Sequence, residues 1–102
     1  MALNLGQIGT KYQTADGEIL SGGERIRLYS AHIISGAGGG AVVSFKNGGA
    51  AGTTYIQVTC ANASTGETFD FGHNGYTFPN GCYIDVDANT TSVLVSFYKE
   101  IK

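Results

Sequence analysis

Apolar and polar residues alternate along the second half of the chain, from Val42 onward, with a period close to two. This period is typical of strands with one buried face, because successive side chains of a strand point to opposite sides. The pattern in residues 42–46 predicts one such strand there. The Asn47-Gly48 step that follows predicts a hairpin turn, since both residues tolerate positive φ. Thr54 to Cys60 is then the partner strand.

The same alternation assigns an inward face to each predicted strand. The inward sets are Ile56, Val58 and Cys60, then Phe69 and Phe71, then Cys82, Ile84 and Val86, and finally Val93, Val95 and Phe97. Pro79 is the only proline, and it predicts an edge or a bend, because proline cannot donate to a central ladder.

The first forty residues carry a weaker pattern. In the segment from Arg25 to Ile34, three apolar residues at positions 26, 29 and 33 have helical spacing, yet the segment also alternates in part as a strand. We interpret it as a strand, because glycine clusters bracket it and its isoleucine and tyrosine content favours a sheet over an uncapped helix.

Length and composition indicate one compact domain with many turns. The chain has 102 residues, of which 42% are hydrophobic and sixteen are glycine, while only 14% are charged. We expect an N-terminal arm or edge strand over residues 1–21 and a β domain over residues 22–102. About seven short antiparallel strands with frequent turns predict an all-β fold, either a small β-sandwich or a jelly-roll-like barrel.

The charge distribution argues against a nucleic-acid partner. The net charge is −2, and the six basic residues are scattered along the chain without forming a stripe that could neutralise phosphates. The chain also lacks an apolar run of the length that a membrane span needs. We therefore expect no membrane partner, and synthesis in the cytoplasm.

Two groups of polar residues have features of chemical sites. Asp85, Asp87 and Asn89 alternate like the first half of a calcium loop, but Thr90 stands where that loop needs glycine, so we expect solvated acids there. Asp70 and His73 could pair around a turn, but no nucleophile lies at a recognised spacing from them. We predict no enzymatic activity, no catalytic residue, no metal and no cofactor.

The two cysteines, Cys60 and Cys82, are both on predicted inward faces. Sequence spacing cannot establish whether they meet with disulfide geometry. In a protein folded in reducing cytoplasm, two buried free thiols that behave as small hydrophobic side chains are favoured over a disulfide.

The candidate interface residues are apolar or aromatic and lie outside the predicted core. Tyrosines on outward faces suit protein interfaces and sugar-binding surfaces alike, and the apolar residues of the N-terminal arm could reach a neighbouring subunit. The candidates are Tyr55, Tyr83, Tyr98, Leu3, Leu5 and Ile8.

From residue 41 to residue 98 the order of elements resembles a group of small bacteriophage proteins encoded among virion genes. The pieces that carry this resemblance are turns and strands: Phe45-Lys46-Asn47-Gly48, Ala50-Ala51-Gly52-Thr53, Phe78-Pro79-Asn80-Gly81-Cys82-Tyr83 and Val93-Leu94-Val95-Ser96-Phe97-Tyr98. They cover a little over half of the chain and carry over no functional residues.

The resemblance implies a component of the virus particle. We expect a capsid decoration or cement protein that binds the shell through its β-sheet surfaces, with capsid or other virion proteins as partners. A homo-oligomer is expected as well, with a trimer favoured, because strand edges should be covered. The alternatives are a tail- or fibre-associated protein and a carbohydrate-binding or receptor-binding module that uses exposed tyrosines.

Overall fold

The protein is a sandwich of two antiparallel sheets. The computed structural model describes residues 7–20 and 22–99, which contain nine strands. They are β1 Gln7–Gln13, β2 Gly17–Glu18, β3 Ile26–Ser35, β4 Val42–Asn47, β5 Thr53–Thr59, β6 Gly66–Asp70, β7 Tyr76–Phe78, β8 Cys82–Val86 and β9 Thr90–Lys99. The described ranges contain no helix long and apolar enough to cross a membrane.

The strands divide into a large sheet and a small sheet. The large sheet has the order β1-β9-β3-β6, with β7 also paired to β3, and the small sheet has the order β2-β8-β4-β5. All described pairings are antiparallel. The predicted all-β sandwich is therefore confirmed, and the sheets do not close into a barrel. Seven of the nine strands follow residue 22, as the sequence predicts.

One apolar core lies between the two sheets, and the predicted inward sets contribute to it. Its buried members come from both sheets: Ile19, Ile26, Leu28, Ala31, Ile33, Ala41, Val43, Phe45, Cys60, Phe78, Cys82, Ile84, Val93, Val95 and Phe97. The remaining inward residues are half-buried and pack against that core: Ile56, Val58, Phe69, Phe71 and Val86. The alternation therefore assigned these faces correctly.

The segment from Arg25 to Ile34 forms a strand, and a β-bulge explains its mixed periodicity. The register with β9 shifts between Leu28 and Ser30, so Tyr29 is the extra residue. Ile26 and Leu28 are buried before the bulge, and Ala31 and Ile33 are buried after it. One inserted residue exchanges the two faces of a strand, and this exchange produces the helix-like spacing in the sequence.

Residues 7–20 supply one edge strand to each sheet. In the large sheet β1 pairs with β9, and in the small sheet β2 pairs with β8. Ile19 follows β2, is buried in the core and donates its backbone N–H to the carbonyl of Cys82 at 2.9 Å. The part of this segment that the structure describes is thus an edge strand in each sheet, joined to the core.

The Asn47-Gly48 step ends β4 and begins a five-residue hairpin loop, longer than the shortest turns that such a step forms. Gly48 has a φ of 109°, and its N–H donates to the carbonyl of Gly81 at 3.0 Å. The hairpin between β4 and β5 is confirmed.

Pro79 immediately follows β7, in agreement with the predicted bend. Gly81 N–H donates to the carbonyl of Phe78 at 3.2 Å, which closes a four-residue turn with proline at its second position. The turn leads directly into β8, so β7 in the large sheet and β8 in the small sheet are consecutive.

Both cysteines are free and buried. Cys60 follows β5 and donates its N–H to the carbonyl of Ala41 at 2.8 Å. Burial raises the pKa of the Cys82 thiol from 9.0 to about 12, because the charged thiolate loses its hydration. These thiols act as small apolar side chains of the core.

Candidate functional site

The outer face of the large sheet carries a row of side chains across four strands. In the strand register Tyr12 lies opposite Leu94, Leu94 lies opposite His32, and His32 lies opposite Thr68. Residues directly opposite each other in an antiparallel pair share a face. Ile34 lies two residues after His32 along β3, on the same face. We call the group Tyr12, Ile34 and Leu94 the outer apolar patch.

The outer apolar patch is exposed. Tyr12 is 63% exposed, Leu94 is 42% exposed and Ile34 is 39% exposed. They account for three of the five large hydrophobic side chains that the described residues expose. A cluster of exposed apolar residues on a flat surface is typical of a contact site.

His32 stands in the middle of this face and is held there by the neighbouring strand. Its Nδ1 lies 2.7 Å from the Thr68 hydroxyl, within hydrogen-bond distance. A Cβ added at Gly66 would lie 2.9 Å from His32 Nε2, so the absence of a side chain at that position leaves room for the ring. The imidazole thus lies toward β6 and is part of a closely packed surface.

The two outer faces of the sandwich differ in charge. On the outer face of the large sheet, the charged residues within the described strands are Arg27 and Asp70, which lie toward the end where β7 pairs with β3. On the outer face of the small sheet, Lys46 Nζ forms an ion pair with Asp85 Oδ2 at 2.9 Å in mid-sheet. The outer apolar patch therefore lies in a neutral surface.

The predicted interface tyrosines lie on three different surfaces. Tyr98 is on the outer face of the large sheet, where the Arg27 guanidinium carbon lies 5.9 Å from its ring centroid. Tyr83 is on the opposite side of the molecule, since its neighbours Cys82 and Ile84 point into the core. The structure thus does not bring Tyr83 and Tyr98 together.

Tyr55 is displaced from its expected outward position by a second bulge. The register between β4 and β5 shifts after Phe45, which pairs with Ile56, so Tyr55 is the extra residue. Its ring stacks on Phe78 with centroids 5.3 Å apart, and it meets Tyr76 edge-on at 5.8 Å. Tyr55 is still 37% exposed and Tyr76 is 44% exposed, so this cluster closes the side of the sandwich opposite β1 and β2.

The remaining interface candidates belong to the N-terminal arm. Leu3 and Leu5 lie outside the described residues. Ile8 lies within β1 and pairs with Tyr98 across the ladder.

The acids that suggested half of a calcium loop have structural partners. Asp85 is the ion-pair partner of Lys46. Asp87 Oδ1 accepts hydrogen bonds from the Asn89 N–H at 3.1 Å and from the Thr90 hydroxyl at 2.8 Å, and these bonds order the turn before β9. In the described ranges no three His, Cys, Asp or Glu side chains group together in a way that could hold a metal ion.

Asp70 and His73 lie at a surface turn that follows β6. Asp70 Oδ1 accepts a hydrogen bond from Gly72 N–H at 3.3 Å, within the turn that follows β6, and His73 is exposed in the same turn. Asp70 thus stabilises a surface turn.

A cleft of about 290 Å³ lies where the chain crosses from the large sheet to the small sheet. Its lining combines a lysine with two acids: Lys11, Gln13, Thr14, Ala15, Asp16, Gly17 and Glu18. Gln13 Nε2 donates to the carbonyl of Ala15 at 2.9 Å, and Asp16 Oδ1 accepts the N–H of Val86 at 2.8 Å. These two bonds hold the crossover in place.

The outer apolar patch was not among the residues that the sequence singled out, although the sequence contains a signal for it. Val93, Leu94 and Val95 are consecutive, as are Ile33 and Ile34, so β9 and β3 carry apolar residues on both faces. In a sheet with one solvated face the outward positions are polar.

Comparison with protein-family models, curated proteins and solved structures finds no match to the chain.

Proposed function

We propose that this protein is a non-enzymatic structural component of a bacteriophage particle, of the capsid decoration or cement type. The context comes from the resemblance of residues 41–98 to small virion proteins. The observation that carries the contact itself is the outer apolar patch, a group of exposed apolar side chains that includes Tyr12 from β1.

A decoration protein works by surface complementarity. Its affinity comes from burying apolar and aromatic side chains on a partner surface, and many copies on one particle add to the overall avidity. The outer apolar patch supplies side chains of that kind on a rigid support, because β9 and β3 are central strands of the large sheet. Rigid elements lose little conformational freedom on binding.

Retention on purified phage heads, compared with purified tails, tests this proposal. The protein is mixed with each particle, the particles are sedimented, and the bound protein is quantified. We expect saturable binding to heads. Leu94→Lys places a charge in the outer apolar patch and is expected to reduce that binding.

Thr59→Lys is the matched control for this experiment. Thr59 is an exposed residue on β5, in the small sheet, so the same charge is added far from the outer apolar patch. It is expected to bind heads like the unmodified chain. Absence of binding to heads, or an equal loss in both variants, would contradict the proposal.

The cluster of Tyr55 and Tyr76 favours a second candidate function, glycan binding. Exposed tyrosine rings can stack on sugars, and both rings reach the surface at one side of the sandwich. Binding to a polysaccharide array that is lost in Tyr76→Ala and kept in Leu94→Lys would support this second function in place of the first.

A further inference from the structure

We infer that the outer face of the large sheet packs against the same face of a second copy of this chain, forming a two-fold dimer. The inference rests on the proposed function in that it concerns the same outer apolar patch: in the free protein a second copy covers the patch, and this contact must open before the patch can bind a phage head. It concerns the free protein in solution, so it can be tested without a particle.

The charge pattern favours a copy of the chain over a charged partner. A two-fold contact places each residue near the same surface of its mate, so like charges would repel. The central row of this face, from Tyr12 through Leu94 and His32 to Thr68, contains no Asp, Glu, Lys or Arg. The middle of the small sheet's outer face carries the Lys46–Asp85 ion pair. A mate that covered that face would have to supply an opposite charge to each member of the pair.

The edges of the large sheet are protected, which directs association to its face. Lys11 on β1 lies opposite buried Val95, and Glu67 on β6 lies opposite buried Ile33, so both charged side chains start from the inner side of an edge strand. Inward-pointing charges on edge strands oppose edge-to-edge pairing.

The area of the face is sufficient for a dimer. The five strands of the large sheet contain 35 residues, and each residue of a sheet covers about 16 Å². Each copy can therefore cover about 550 Å² if the end with Arg27 and Asp70 is included, or roughly 1,100 Å² in total, just above the area of about 1,000 Å² that a specific interface needs. Because a two-fold contact lets one mate cover the whole face, this arrangement favours a dimer over the trimer expected from the sequence.

The molar mass of the purified full chain, measured by light scattering over a range of concentrations, tests the inference. We expect the mass to rise from the 10.6 kDa of one chain toward twice that value. Leu94→Lys is expected to weaken self-association by about tenfold or more, since the contact would bury an ammonium group that has no partner charge in its row. Thr59→Lys is expected to associate like the unmodified chain.

A second variant keeps the test valid if Leu94→Lys fails to fold. Tyr12→Ser changes the most exposed residue of the patch without adding charge, and it should also weaken self-association while its circular dichroism spectrum and melting temperature are retained. A monomer at all concentrations overturns the inference. So does an oligomer that is unchanged by both folded variants.

The two proposals fail separately. A monomer that binds phage heads through Leu94 would overturn the dimer and leave the proposed function standing. A Leu94-dependent dimer that binds neither heads nor tails would support the dimer and contradict the proposed function.

Discussion

Tyr12 on β1 lies directly opposite Leu94 on β9, and both side chains are exposed on the outer face of the large sheet. Val93 and Val95, on either side of Leu94, are buried in the core. At this position β9 is thus apolar on both faces, as strands are in sheets that are covered on both sides. The large sheet is suited to a covering layer that the chain's described residues do not provide.

The neighbouring residues Ile33 and Ile34 give a matched test of this distinction. Ile33 is fully buried, so Ile33→Ala should lower the free energy of unfolding by about 2–5 kcal/mol. Ile34 is on the outer face, so Ile34→Ala should cost under about 1 kcal/mol. Urea unfolding at a protein concentration below the onset of self-association measures both values. Equal losses would mean that Ile34 is covered within the monomer.

Gly52 is required by a close approach in the loop after β4. A Cβ added there would overlap the carbonyl oxygen of Asn47. Because that atom belongs to the backbone, Gly52→Ala should destabilise the protein by about 1–3 kcal/mol. Gly49 lies in the same loop and a Cβ there meets nothing within 4 Å, so Gly49→Ala should be nearly neutral. Melting temperatures of the two variants check this, and similar values would contradict it.

The buried thiol of Cys82 makes stability fall in alkaline solution. Its pKa is raised by burial from 9.0 to about 12, so above pH 9 the unfolded chain loses a proton that the folded chain retains. The stabilising contribution is therefore complete below pH 9 and is lost as the pH rises toward 12, by about 1.4 kcal/mol per pH unit at most.

Cys82→Ala removes this dependence. The difference in free energy of unfolding between the unmodified chain and the variant should shrink between pH 9 and pH 11, when both are measured by denaturant titration. Other groups titrate in this range in both proteins, so they cancel in the difference. A difference that is constant with pH would show that Cys82 ionises as easily in the folded state as in the unfolded state.

Asp16 takes the place of a backbone acceptor just before the start of β2. That strand has only two residues, and Asp16 Oδ1 accepts the N–H of Val86 at 2.8 Å, beyond the last backbone pair with β8. Asp16→Ala should speed hydrogen exchange at the Val86 amide and cost about 1 kcal/mol. Asp16→Asn retains an oxygen acceptor and should show a smaller effect. Unchanged exchange in the alanine variant would contradict this role.

The fold class could be predicted because alternation with a period of two follows from strand geometry and needs no knowledge of partners. The bulges at Tyr29 and Tyr55 could not be predicted. At Tyr29 and at Tyr55 one inserted residue exchanges the faces of the strand, and the sequence contains no separate signal for the insertion. For this reason Tyr55 was expected on the outer face and instead packs on Phe78.

The order of the strands in the sheets could not be predicted from the sequence either. β9 lies between β1 and β3, and these pairings join residues far apart in the chain, so local patterns do not encode them. The outer apolar patch depends on that order, because Tyr12 meets Leu94 only when β1 pairs with β9. The apolar outward residues were visible in the sequence, but their grouping became visible only in the fold.

Hydroxyl-radical footprinting of the protein bound to phage heads shows whether the outer apolar patch is an assembly surface. Oxidation of Tyr12, Leu94 and Ile34 is compared between the dilute free protein and the head-bound protein, with Tyr55 and Tyr76 as internal references. We expect strong protection of the first three residues and little change at the two tyrosines. Protection of Tyr55 and Tyr76 with unchanged oxidation of Tyr12 and Leu94 would contradict it.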